Sequence, residues 1–203
     1  MPAHCTRGMT LVETLIALSI FIVIMIAVST FEVNVFSYQR SISGSLTTSQ
    51  DAQVILKTIL KEVRSAAPSA NGSYPIINAA TNTLSFFSDS NTDGIQDQIT
   101  YSLIGNTIYR ALIKPTGSPY VYNVANQSTT TLVTNVRNSS STPAFEYFDE
   151  SYTGSSQSLA QPVTVTSIHV IKVNLTLDVD PNRSPLPVTF SGEMTLRNLK
   201  TNL

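Results

Sequence analysis

Three groups of residues in this chain have types and spacing suited to chemistry. The first is a single carboxylate, Glu13, which sits five residues into an apolar stretch that begins at Met9. From Thr14 to Phe31 the run carries no charge. An ionised side chain at the centre of a membrane helix costs about 3 kcal/mol unless something neutralises it, so Glu13 needs a partner or a route to water. The second group is Asp89-Ser90-Asn91-Thr92-Asp93-Gly94-Ile95-Gln96-Asp97. Asp89, Asn91 and Asp93 stand at positions one, three and five of an EF-hand-like loop, Gly94 at six and Asp97 at nine. Position twelve, a bidentate Glu in an EF-hand, is Thr100, and strand-like sequence flanks the loop. Two readings stay open: a calcium site of micromolar or weaker affinity, or a hairpin loop whose Asp, Asn and Gly serve turn geometry. The third is His169, around which a Ser–His–Asp triad would have to be built. It stands in a strand-like run, and the chain has no nucleophile-elbow motif, so it reads as a histidine on a strand.

The remaining composition narrows the chemistry further. His4 and Cys5 both precede the apolar run, leaving no cysteine and one histidine downstream. Without those residues the common zinc sites and a Cys nucleophile are excluded there, and no intrachain disulfide can form. Charged residues make up only 12% of the chain and the net charge is −1. No basic patch suggests nucleic acid, and no cofactor is expected beyond the calcium of the 89–97 loop.

The elements that must position these groups follow from periodicity. Eighteen uncharged residues suffice for a helix to cross a bilayer core of about 30 Å. Arg7 in the short polar segment before them satisfies the positive-inside rule, placing residues 1–8 in the cytoplasm and the chain after Phe36 outside. Ala27-Val28-Ser29 is a rival feature, a tolerable signal-peptidase site whose use would release a secreted β-rich module binding calcium or a sugar. Against it, the helical pattern continues past that site, and an ordinary signal has no reason to carry Glu13. From Asn34 to Gln50 the run turns polar, and Gly44 with its Ser and Thr neighbours is a weak helix stretch. Over Asp51–Ala67 an amphipathic pattern returns. Leu56, Ile59, Leu60 and Val63 form its stripe, Val54 and Ile55 widen it, and Lys57, Lys61, Glu62 and Arg64 face away. No proline interrupts residues 9–67, so the pattern predicts one helix of nearly that length, ended by Pro68 and Asn71-Gly72.

After Gly72 the period switches to two. It predicts strands at Thr83–Ser88, Gln98–Ile104, Thr107–Ile113, Tyr120–Val124, Thr131–Val136 and Ala144–Phe148. Two further strands, Ile171–Val179 and Val188–Arg197, are joined through the proline-containing loop Asp180–Pro187. Gly105-Asn106 is a two-residue hairpin signal. The apolar face of such a sheet needs a cover, and the helix over Asp51–Ala67 offers one.

Gly8-Met9-Thr10-Leu11-Val12-Glu13-Thr14-Leu15-Ile16-Ala17-Leu18 resembles the processing motif of type IV prepilins and type II secretion pseudopilins. The resemblance implies cleavage between Gly8 and Met9 by a prepilin peptidase, N-methylation of the new Met9 amine, and Glu13 as fifth mature residue. It implies an α+β, pilin-like fold: a leader at 1–8, a membrane-spanning assembly helix at 9–36, its amphipathic continuation at 37–67, and an antiparallel β head at 68–203. Implied partners are other pilin or pseudopilin subunits, the prepilin peptidase and an inner-membrane assembly platform. The implied place is the inner membrane, single-pass with the head outside, and then a filament. The implied role is structural and not enzymatic. Because apolar helices bundle in such a filament, the Met9 amine of a neighbouring subunit is a fitting counter-charge for Glu13, setting axial register as a buried polar group does in a coiled coil. Leu84-Ser85-Phe86-Phe87-Ser88-Asp89, Asp93-Gly94, Ile99-Thr100-Tyr101 and Ile108-Tyr109-Arg110 resemble the first head hairpins of J-type or W-type minor subunits. Met194-Thr195-Leu196-Arg197-Asn198-Leu199 is similar to their last strand.

Overall fold

The computed structural model describes residues 10–178 and 187–196, and of these all side chains but those of 38 and 40–48. The architecture is α+β, a long N-terminal helix and two antiparallel sheets. The helix, α1, spans Leu11–Arg64 and is helical through Gly44. Among the described residues eight strands follow: β1 (Ile76–Ala80), β2 (Thr83–Ser88), β3 (Asp97–Ile104), β4 (Thr107–Ile113), β5 (Ser128–Val133), β6 (Phe145–Phe148), β7 (Val170–Leu177) and β8 (Val188–Thr195). By contacts the chain divides into two units, Met1–Ser43 and Gly44–Leu203.

In the second unit β1 to β5 form a five-stranded meander in sequence order, and β6, β7 and β8 a separate three-stranded sheet. The Gly105-Asn106 turn joins β3 to β4 with Ile104 opposite Thr107, and Gly105 has the positive φ of 60° that such a two-residue turn demands. The core is shared by the helix and both sheets. Ala52, Leu56, Ile59 and Val63 bury one stripe of α1 against Leu84, Phe86, Ile99, Tyr101 and Ile108 and against Phe145, Tyr147, Ile171, Val173 and Leu175. Burying each of Leu56, Ile59 and Val63 contributes about 1.5–3 kcal/mol before ordering costs. Tyr147 ties the sheets together, its hydroxyl donating to the carbonyls of Ala80 (2.9 Å) and Thr83 (3.3 Å) at the β1–β2 turn. Gly192 in β8 lets that strand approach the helix: a Cβ there would stand 2.5 Å from Leu60 Cδ1.

The structure departs from the periodicity reading in several places. The single expected sheet is two, because the chain after Asn135, which has a φ of 61°, leaves β5 and pairs instead with the end of β7. For the same reason β5 ends at Val133 rather than Val136. Tyr120–Val124 is no strand. Pro115, Gly117 and Pro119 break the chain there, and it makes one bridge between Thr116 and Val121 before a 3-10 turn at Val124–Asn126. β1 was hidden because Ile76-Ile77-Asn78-Ala79-Ala80 does not alternate, and its register shifts between Ile76 and Asn78. The helix stops at Arg64 rather than Ala67 because Ala66 bridges Ser88 and the Ala67 amide donates to Phe87. Arg197 and most of the 180–187 loop lie outside the described residues.

The stripe on α1 is also narrower than expected and turned. Val54 is exposed and Leu60 half-buried, while Ala52 is fully buried. Glu62 does not face away. It forms a bidentate pair with Arg110 in β4, Nη2 to Oε1 at 2.8 Å and Nε to Oε2 at 3.1 Å, and accepts a further hydrogen bond from the Tyr101 hydroxyl. Burial, with the Glu62 charge and hydrogen bond adding to it, pushes the Tyr101 hydroxyl far above its usual value, so it remains a donor. Burial pulls the Arg110 guanidinium down, and its bonds to Glu62 more than offset this. Glu62→Ala strands both donors at the helix–sheet contact. In urea unfolding followed by tyrosine fluorescence, a cycle with Arg110→Ala is expected to show a coupling of about 1–3 kcal/mol.

Candidate functional site in the amino-terminal helix

Helix α1 begins with a cap. The Glu13 amide donates to Thr10 Oγ1 at 3.3 Å, and the Thr14 amide to the Thr10 carbonyl at 3.2 Å. Thr10-Leu11-Val12-Glu13 has the spacing of a capping box, a signature readable in the sequence. An acid in the first turn also faces the positive end of the helix dipole. Glu13 thus has a local role besides any in assembly. Its side chain is exposed and makes no ion pair among the described residues. Gly8 and Met9 lie outside them.

Beyond the cap, Leu11–Ser37 is long and apolar enough to cross a membrane, and none of it is buried within the chain. Four of its hydroxyls are closed on the helix itself. Thr14 donates to Leu11 O (2.8 Å), Ser19 to Ile16 O (2.8 Å), Thr30 to Ile26 O and Ala27 O (3.0 and 2.9 Å), and Ser37 to Asn34 O (2.8 Å). This is how hydroxyls are satisfied where water is absent. Side chains from Leu11 to Phe36 form an exposed apolar surface around the whole helix, Leu11 at 75% and Phe31 at 69%. Exposure on that scale marks a surface that lipid or protein covers.

Residues 4–29 match the family model for the prokaryotic N-terminal methylation motif. The N-terminus is therefore similar to that of type IV pilin-like precursors, which are structural proteins anchored by such a helix. The match takes in residues 4–8, the cap, Glu13 and most of the charge-free run, and ends before the first strand. No curated protein matches the chain.

In the 89–97 loop the structure brings Asp89, Asn91 and Asp93 together between β2 and β3, with Asp97 as the first residue of β3. The oxygens are engaged by the loop itself. Asp89 accepts from the amides of Gly94 (2.8 Å) and Asp93 (3.2 Å), Asp93 from the amide of Ile95 (2.8 Å) and from Asn91 Nδ2 (2.7 Å), and the buried Asp97 from the Ser90 hydroxyl. Thr92 and Gly94 adopt positive φ, 62° and 84°. Thr100, the twelfth position, lies in β3 with its hydroxyl bonded to Ser85 Oγ at 2.9 Å. Among the described residues no three His, Cys, Asp or Glu side chains gather as a metal-holding group. Calcium here rests on sequence spacing, and these bonds account for the same residues as turn formers.

Tyr122 pins this end of the head, a feature no periodicity revealed. Its hydroxyl donates to Gln96 O (2.7 Å) and accepts from the Ala70 amide (3.1 Å), and its ring packs on Phe87 with centroids 4.9 Å apart. His169 lies just before β7, its amide bonded to Phe148 O. The neighbouring Ser151 hydroxyl donates to Asp149 at 2.6 Å, so it is spent on the carboxylate rather than on the imidazole.

The Gly94 amide holds the Asp89 carboxyl below its ordinary value. A depressed carboxyl stabilises the loop above its unfolded pKa, and this contribution is lost as pH falls through the folded value. The Gly94 amide resonance is expected to titrate with a midpoint below about 3.9, and Asp89→Asn to abolish that transition. A calcium site would move the same resonance at neutral pH and raise the melting temperature of the head. Identical melting in calcium and in a chelator would leave the loop as a turn.

Proposed function

We propose that the protein is a minor pilin or pseudopilin, a non-enzymatic subunit that initiates or caps a type IV pilus-like filament in an envelope-spanning machine. The observation that carries this reading is the coincidence of the methylation motif at residues 4–29 with an apolar helix surface, Leu11–Ser37, that is uncovered among the described residues. Chemistry is done to the protein, not by it: a prepilin peptidase cleaves Gly8–Met9, and the Met9 amine is methylated. Before assembly the chain sits in the inner membrane with its head outside the cytoplasm. Assembly transfers the helix from lipid to a bundle of like helices, where Glu13 meets the Met9 amine of a neighbour and sets the register.

A minor rather than major position is supported by the β2–β3–β4 meander, built from the residues that resemble the first hairpins of J-type and W-type subunits. Other pilin-like subunits and the assembly platform are then its partners, and nucleic acid is not a direct ligand.

Mass spectrometry of the mature N-terminus tests the reading. The expected product begins at Met9 and carries one added methyl group. A product beginning at Thr30 would mean cleavage after Ser29 and a secreted module. Glu13→Ala is expected to leave membrane insertion and processing intact and to abolish recovery of the subunit in sheared filaments.

A further inference from the structure

Helix α1 carries a second acid that the motif match does not reach. The match ends at residue 29. Glu32 follows on the same exposed helix and makes no ion pair among the described residues. Between Glu13 and Glu32 lie only Thr14–Phe31, without a charge. At about 1.5 Å per residue the two acids stand about 28 Å apart along the axis, against a hydrocarbon core about 30 Å thick. At about 100° per residue they also point about 100° apart, so they are not members of one polar stripe. Axial position is what they share with the bilayer.

We propose that Glu32 is a depth stop, the outer member of a pair of carboxylates that brackets the membrane. This rests on the anchored, head-outside reading above. Sliding the helix inward drags Glu32 into hydrocarbon, and sliding it outward drags Glu13 in, so the resting depth is the one at which both carboxylates reach water. Each displacement is opposed by the same cost, that of an ionised group in lipid. Glu32 keeps the head from being drawn onto the membrane, and Glu13 enters an apolar environment only when the helix leaves. Replacing Glu32 with Leu would extend the apolar run to Phe36, with Asn34 its one strongly polar residue beyond Thr30.

The test uses the full chain in lipid vesicles with the head outward, in a Cys5→Ser, Val35→Cys background. The rate at which an impermeant maleimide modifies position 35 reads its depth. Glu32→Leu is expected to slow modification at least about fivefold as the longer apolar run sinks, and Glu32→Asp to keep the parent rate. The depth stop is overturned if Glu32→Leu reacts within about twofold of the parent, or if Glu32→Asp is as slow as Glu32→Leu. Retention after a carbonate wash separates the two readings. Chains lost in the wash overturn the membrane anchor itself, whereas retained chains with equal rates overturn the depth stop alone.

Discussion

The constraint on which the rest depends is that the N-terminal part of α1 has no cover among the described residues. Its apolar side chains are exposed around the full circumference from Leu11 to Phe36, and none of them is buried among the described residues. Free energy of that size has to be satisfied by lipid or by copies of a similar helix. The other features of the segment follow from this demand. Thr10 caps the start of the helix, the hydroxyls of Thr14, Ser19, Thr30 and Ser37 fold back on it, and charge is held to Glu13 and Glu32 at its margins.

The same helix meets the opposite condition after Gly44. There a narrow stripe, Ala52, Leu56, Ile59 and Val63, is covered completely, and the polar side chains beside it are put to use. Glu62 is the instructive one. A carboxylate on the flank of a buried stripe would weaken the contact if left alone, but a bidentate arginine and a tyrosine hydroxyl turn it into a directional tie between helix and sheet. Gly192 contributes by subtraction, since the absence of a side chain lets Leu60 lie against β8.

Much of the fold was legible in the sequence where periodicity was strong. β2 and β4 begin and end where alternation of apolar residues predicts, and the cores of β3, β7 and β8 fall within the expected runs. The failures share a physical origin: they occur where long-range pairing overrides local pattern. β1 has no alternation because it is an edge strand with a bulge, and Tyr120–Val124 has the composition of a strand but is held by prolines and by the anchoring of Tyr122. Glu62 looked solvent-facing because its partners lie 39 and 48 residues away. At the candidate site, the motif matched at residues 4–29 was legible because it depends on local spacing. The Thr10 cap was equally local, its signal the three-residue spacing from Thr10 to Glu13.

Those hydroxyl bonds have a consequence for moving the helix between surroundings. Thr14, Ser19, Thr30 and Ser37 each donate to a carbonyl of their own helix, so their bonding is the same against acyl chains or protein side chains. A polar group that relied on a lipid headgroup or a water molecule would have to exchange that partner during transfer, adding a barrier at every such position. For these four the exchange is unnecessary. Of the four hydroxyls in the charge-free run between Glu13 and Glu32, three, on Thr14, Ser19 and Thr30, thus pass from one surrounding to another without a change of partner.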